Sequence, residues 1–211
     1  MIRRWFLHPA AKPLVFVTAL LPFAWLVGGV LTQNLGPNPA EALIRSTGDW
    51  TLRFLCIVLA VTPLRVLTGT PALARLRRML GLFVYFYALL HMLCYSWLDM
   101  EFIVADIVRD IAKRPFILVG FLALLLLTAL AATSFNRAIR WLGARRWQML
   151  HRAVYAVAML AVLHFFWMRS GKNDFAEVFV YGAILATLLG WRIVHAWRQR
   201  RVTVRRPYGA R

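Results

Sequence analysis

Six apolar runs, most of them about 18 residues or longer, leave few folds open to this chain; that length of helix crosses a bilayer core of roughly 30 Å. They lie at about residues 13–31, 50–67, 79–98, 116–132, 148–168 and 175–197. Backbone polar groups in lipid must be paired internally, so each run is expected to be a helix. Alternating strands of about ten residues, the mark of a membrane barrel, are not seen. Of the 211 residues 61% are hydrophobic and only 16% charged, too little polar surface for a soluble domain of this size. The expected fold is all-α: one polytopic bundle of six transmembrane helices occupying residues 1–211 as a single domain.

The formal net charge of +18 raises the question of nucleic acid. The arginines, however, are parcelled between the apolar runs, which is how topology signals are distributed, and nucleic acid is not an expected partner. Arg3, Arg4 and Lys12, the loop with Arg65, Arg75, Arg77 and Arg78, the loop with Arg137, Arg140, Arg145 and Arg146, and the tail with Arg198, Arg200, Arg201, Arg205, Arg206 and Arg211 share one side. Glu41, Asp49, Asp99, Glu101, Asp106, Asp110, Asp174 and Glu177, all the acids of the chain, fall on the other, at the ends of the apolar runs or outside them. The positive-inside rule then puts both termini in the cytoplasm. The start, RRWFLHP, resembles a twin-arginine export signal, but a long apolar run with Pro22 follows and no small-residue cleavage site is evident. Arg3 and Arg4 read as anchors, with the first span retained.

Cys56 and Cys94 lie within apolar runs and read as packing residues. In the third loop, Ile103, Ile107 and Ile111 recur at helical spacing with Val104 and Val108 beside them, and Asp99, Asp106, Arg109 and Asp110 fill the rest. That pattern suits a short helix lying on the membrane surface, either as a plain connector or as a docking face for a partner outside.

Ionisable groups inside a membrane are costly and mark function. Three histidines stand in apolar surroundings: His91 in YALLHMLCY, and His151 and His164 at the two ends of LHRAVYAVAMLAVLH. His91 lies about 12 Å of helix rise before Asp99, and His164 about 7.5 Å before Arg169, so both fall in the outer half of the bilayer and can face each other. His151 lies about 20 Å below His164, near the cytoplasmic end. Structural zinc asks for four Cys or His ligands, more than this depth offers. A b-type haem asks for two axial nitrogens and an apolar slot. No C-x-x-C-H occurs, so the haem would be held without covalent attachment. On a straight helix His151 and His164 are roughly 140° apart, which calls for a bend or for two differently placed cofactors. His8 and His195 read as interfacial.

The segments RRMLGLFVYFYALLHMLCYSWLD, TPLRVLTG and WLGARRWQMLHRAVYAVAMLAVLHFFW resemble the MsrQ family, also called YedZ, over nearly the whole chain. More distantly the chain is similar to the ferric reductase and NADPH oxidase transmembrane domain. The resemblance implies a bacterial inner-membrane electron-transfer subunit, not itself the catalytic subunit, carrying haem b and FMN. It implies electron delivery to MsrP, a periplasmic molybdopterin enzyme that reduces methionine sulfoxide in oxidised proteins. It implies His91, His151 and His164 as haem-iron and cofactor ligands. The oxidase relatives place two histidines on the third helix; here the second would fall near Arg77 or Arg78, neither of which ligates haem. One haem between His91 and His164 is therefore expected, and His151 either holds a second haem with an unidentified partner or sits beside the flavin.

About fourteen residues follow Trp197, and the chain has no phosphate-cradling glycine loop. It is expected to receive electrons from a quinone or from a separate cytosolic flavin reductase. Arg75, Arg77 and Arg78 are candidates for the FMN phosphate, although their reading as topology anchors is the stronger. Two rival functions stand beside this one: a ferric or oxygen reductase-like cytochrome b, and a transporter or anchor using its histidines as a proton relay.

Overall fold

The computed structural model of the protein describes residues 8–171 and 173–204, with backbone alone at 200 and 202–204. Arg3, Arg4 and the twin-arginine-like start, together with Arg205, Arg206 and Arg211, lie outside the described residues. The described chain is helical, with nine α-helices and no strand: α1 (Ala11–Leu31), α2 (Pro39–Leu67), α3 (Ala74–Leu98), α4 (Val104–Lys113), α5 (Pro115–Ala132), α6 (Asn136–Leu142), α7 (Ala144–His151), α8 (Val154–Ser170) and α9 (Ala176–Val204). Six stretches are long and apolar enough to cross a membrane, at Ala11–Leu31, Pro39–Leu67, Pro71–Leu98, Pro115–Ala132, Ala144–Ser170 and Ala176–Gln199. Short connections make consecutive spans antiparallel. One end of the bundle gathers the acids and the other the described loop arginines.

The second span begins eleven residues before the expected 50 (50 − 39 = 11). Hydropathy falls at Glu41, Arg45 and Asp49, but the helix does not. Asn38 caps it by accepting the Glu41 backbone N–H at 3.1 Å, Pro39 opens it, and Glu41 pairs with Arg45 one turn on at 2.5 Å. The expectation that the spans' interiors hold no acids is corrected accordingly: Asp49 sits inside α2, ten residues past its start, with Glu41 in the first turn of α2 and Glu177 in that of α9.

The core lies between α2 and α3. Leu52, Leu55 and Leu59 face Leu80, Val84, Tyr87 and Ala88, all buried. Around this pair stand α5 and α8, packed on each other, with α9 against α2 and α1 against α3. Two prolines inside spans free backbone groups, and side chains from other helices meet them. Pro22 lies inside α1, and beside it the Tyr87 hydroxyl donates to the Ala19 carbonyl at 2.8 Å and accepts the Phe23 N–H at 3.2 Å. Pro63 in α2 cannot donate to the Leu59 carbonyl one turn back, and Arg192 of α9 donates to it at 2.6 Å.

Of the two alternatives, a bend or two differently placed cofactors, the chain between His151 and His164 shows a helix break. The helix breaks after His151 and resumes at Val154. Across the break Arg152, Ala153 and Tyr155 donate to carbonyls three residues back, at 3.1, 2.9 and 3.0 Å, a local tightening that turns the two histidines onto different headings.

The third loop does form a surface helix, α4, with Val104 and Val108 exposed and Ile107 and Ile111 turned toward α5. Asp110 is not part of its free face. It accepts from the Tyr95 hydroxyl at 2.7 Å, binds Arg114 at 2.8 Å and is only 12% exposed, so it fastens α4 to the bundle.

Candidate cofactor sites

His91 on α3 and His164 on α8 meet across the acidic half of the bundle, with ring centres 6.1 Å apart and planes at 78°. Each imidazole is fixed by the same device on a neighbouring helix. His91 donates from Nδ1 to the Ile44 carbonyl at 2.8 Å, and His164 donates from Nδ1 to the Phe116 carbonyl at 2.6 Å. A carbonyl only accepts, so both Nδ1 atoms carry the proton and both Nε2 atoms are left with a free lone pair, the form in which imidazole ligates metal.

Four residues after each of those carbonyls stands a glycine, Gly48 on α2 and Gly120 on α5. A Cβ at Gly48 would come within 3.2 Å of the His91 ring, and one at Gly120 within 2.8 Å of His164 Nδ1. The glycines are what let a ring lie flat enough on a helix to share its backbone carbonyl. Neither signalled itself in the sequence, because a glycine in an apolar run reads as filler until the ring packed on it is seen.

Both rings line a cavity of about 500 Å³, within the size range of cofactor sites. Its deep walls are apolar: Leu52, Leu55, Ala88, Leu124, Leu127 and Val157. Its mouth is charged, with Glu41, Arg45, Asp49, Asp99, Arg114 and Arg169. Two imidazoles on opposite faces of one iron have ring centres about 6 Å apart, from two bonds of about 2 Å and the half-width of each ring. The observed spacing, the free Nε2 pair and the apolar walls fit a haem.

His151 is built differently. Its ring stacks on Trp147 at 4.0 Å, and Trp147 is itself pinned by an indole N–H donated to the Thr133 carbonyl at 2.8 Å. His151 Nε2 lies 3.2 Å from the Thr133 hydroxyl, which already donates to the Ala129 carbonyl at 2.8 Å. His151 thus engages a hydroxyl through Nε2, where the other two engage carbonyls through Nδ1. A second cavity of about 290 Å³ opens beside it, lined by Arg77, Arg78, Gly81, Ser134 and Trp147 among others. Arg78 donates to Asn136 at 2.8 Å; Arg77 has Arg192 and Arg65 as electrostatic neighbours, and among the described residues no carboxylate lies at this end. Arg75 does not line the cavity. Leu55 and Leu127 line both cavities, so two leucines partition them.

The remaining histidines stand apart from both cavities. His8 accepts the Ala10 N–H at 3.2 Å on the surface, and His195 stacks on Trp191 at 4.7 Å and meets Gln199 at 3.0 Å. Cys56 and Cys94 are free thiols, and no cluster of three metal-binding side chains occurs among the described residues.

A bundle of six spans with an opposed histidine pair in its acidic half defines a class, and comparison with known proteins gives it a name. Residues 47–162 match the family model described as the ferric reductase like transmembrane component, and the chain belongs to that family. Within it the chain is a member of the MsrQ group. It is 69% identical over 199 residues to the protein-methionine-sulfoxide reductase heme-binding subunit MsrQ of Polaromonas naphthalenivorans, covering 94% of this chain and 91% of that protein. To the protein of the same name from Bordetella pertussis it is 54% identical, covering 90% and 91%. It is 44% identical to the magnetosome protein MamZ of Magnetospirillum gryphiswaldense, over 89% of this chain and 29% of that protein. No solved structure matches.

Proposed function

We propose that this chain is the haem-bearing electron-transfer subunit of a protein-methionine-sulfoxide reductase in the bacterial inner membrane. Electrons enter at the arginine-rich, cytoplasmic end from a quinone or a cytosolic flavin reductase. They leave at the acidic, periplasmic end to the molybdopterin enzyme MsrP. The observation that carries the reading is the pair of imidazoles of His91 and His164, each holding its Nδ1 proton on a helix carbonyl and offering Nε2 to a shared apolar cavity. The names of the relatives support the haem and the methionine sulfoxide reductase partnership.

A haem there supplies one-electron chemistry without an open iron position, which suits transfer over oxygen chemistry. Everything else is done by the chain. The carbonyls of Ile44 and Phe116 hold the ligand rings in one tautomer. Leu55, Leu127, Val84 and Val157 keep the interior dry, so the site moves electrons and not protons. Reduction of one sulfoxide to a thioether takes two electrons and two protons and releases water, so the chain would have to pass two electrons for each methionine repaired. Met sulfoxide is a polar lesion in apolar packing, which is the damage such a system reverses.

FMN is assigned to the second cavity. Arg77 and Arg78 lack carboxylate partners there and suit a phosphate, while the Trp147–His151 stack forms a flat wall for an aromatic ring. The smaller volume and the engagement of His151 Nε2 by the Thr133 hydroxyl favour a flavin over a second haem.

The family description favours one rival, a ferric or oxygen reductase-like cytochrome b. Deleting the chain from cells under oxidative stress separates the two. Accumulation of methionine sulfoxide in periplasmic proteins is expected, and undisturbed repair with loss of extracellular ferric reduction would install the rival.

A further inference from the structure

The charged mouth of the larger cavity holds an arrangement that haem ligation alone does not explain. Arg169 follows His164 on the same helix by five residues, about 7.5 Å of rise toward the acidic end. Its two terminal nitrogens are fastened from the polar side, to Asp174 at 3.0 Å and to Glu177 at 2.6 Å, and its guanidinium lies over the Phe165 ring. The side chain is only 11% exposed, it lines the cavity, and its Nε–H is buried with no acceptor. A buried donor without a partner is costly, and more so when it is charged. On the opposite wall Arg45 lines the same mouth. It adjoins Ile44, whose carbonyl holds His91, and one of its terminal nitrogens is held by Glu41. Each ligand histidine thus has one arginine set beyond it at the polar end of the cavity.

We infer that Arg45 and Arg169 form a carboxylate clamp that receives the two propionates of the tetrapyrrole, fixing the ring edge-on with its acidic side toward the periplasmic mouth. This rests on the haem reading above. The acidic partners of the arginines aim the guanidinium groups and leave donors over for the ligand, Nε of Arg169 among them. Arg114 also lines the mouth, but it is 56% exposed and tied to Asp110, so it adds little. Glu41, Asp49 and Asp99 share the mouth as like charges to a propionate, so the clamp works only through the arginine donors that the acids leave over.

The test compares haem b with its dimethyl ester, which keeps iron and ring and loses both negative charges. Full-length protein produced under haem limitation and solubilised in detergent is titrated with each, and binding is read from the six-coordinate visible spectrum. Wild-type protein is expected to hold haem b at least about tenfold more tightly than the diester, the size of one charge-assisted contact. Arg45→Gln and Arg169→Gln should each reduce that ratio several-fold, and Asp49→Asn should increase it. Equal affinity of wild-type protein for the two ligands overturns the clamp without any variant, as does an unchanged ratio in both arginine variants. Six-coordinate binding of the diester with no preference defeats this inference alone; binding of neither ligand defeats the haem reading beneath it.

Discussion

At the scale of single residues, the outer site depends on two atoms that are absent, the β-carbons of Gly48 and Gly120. The approach at Gly120 is the tighter, 2.8 Å against 3.2 Å at Gly48, and it meets a ring that cannot fold aside. Gly120→Ala is therefore expected to lower haem content severely and Gly48→Ala more mildly, as read by haem per chain on purified protein; equal content in both variants and wild type would contradict the packing. His151 gives the complementary prediction. His151→Ala should leave the haem complement intact and lower bound FMN several-fold, the loss expected when half of a stacking wall goes. A halved haem content would instead make it a ligand. Asp99, just past the end of α3, supplies a pH test. Burial raises its carboxyl above the ordinary 3.8, more than the Arg114 guanidinium lowers it, and the charge of Asp110 adds to the rise. The folded protein therefore binds this proton more tightly than the unfolded chain. Its contribution to stability is fully present below pH 3.8 and lost as pH rises through the raised value. Asp99→Asn should gain on wild type in thermal stability across that rise and run parallel above it; parallel curves throughout would contradict the shift.

At the scale of elements, the helices were legible and their ends were not. Six spans follow from apolar length, and the amphipathic α4 from its Ile and Val spacing, because both are repeating signals. The early start of α2 was hidden, because Asn38, Pro39 and the Glu41–Arg45 pair extend a helix through residues whose hydropathy says loop. The histidine pair could be placed at one depth from helix rise, and the angle between His151 and His164 called for a bend or for two differently placed cofactors without deciding between them. The shared-carbonyl device could not be foreseen, since it depends on which helix packs on which. The same is true of the Tyr87 hydrogen bonds beside Pro22. Tyr87→Phe removes the hydroxyl that bonds both the Ala19 carbonyl and the Phe23 N–H, one helical turn apart, and should cost about 0.5–1.5 kcal/mol, read as earlier thermal unfolding in detergent. Unchanged stability would mean that another group satisfies them.

At the scale of the whole molecule, charge and cofactor sites share one axis. Acids and the larger cavity occupy one end, arginines and the smaller cavity the other, and two leucines divide them. The account's central claim is a single haem held between His91 and His164. A reduced-minus-oxidised visible spectrum, with haem and FMN quantified on the same purified samples of wild type and His91→Ala, tests it most directly. The account predicts one six-coordinate b haem and one FMN per wild-type chain, with the haem lost and the flavin kept in the variant. A normal haem complement in His91→Ala, or no haem in wild-type protein expressed with ample haem supply, would contradict it.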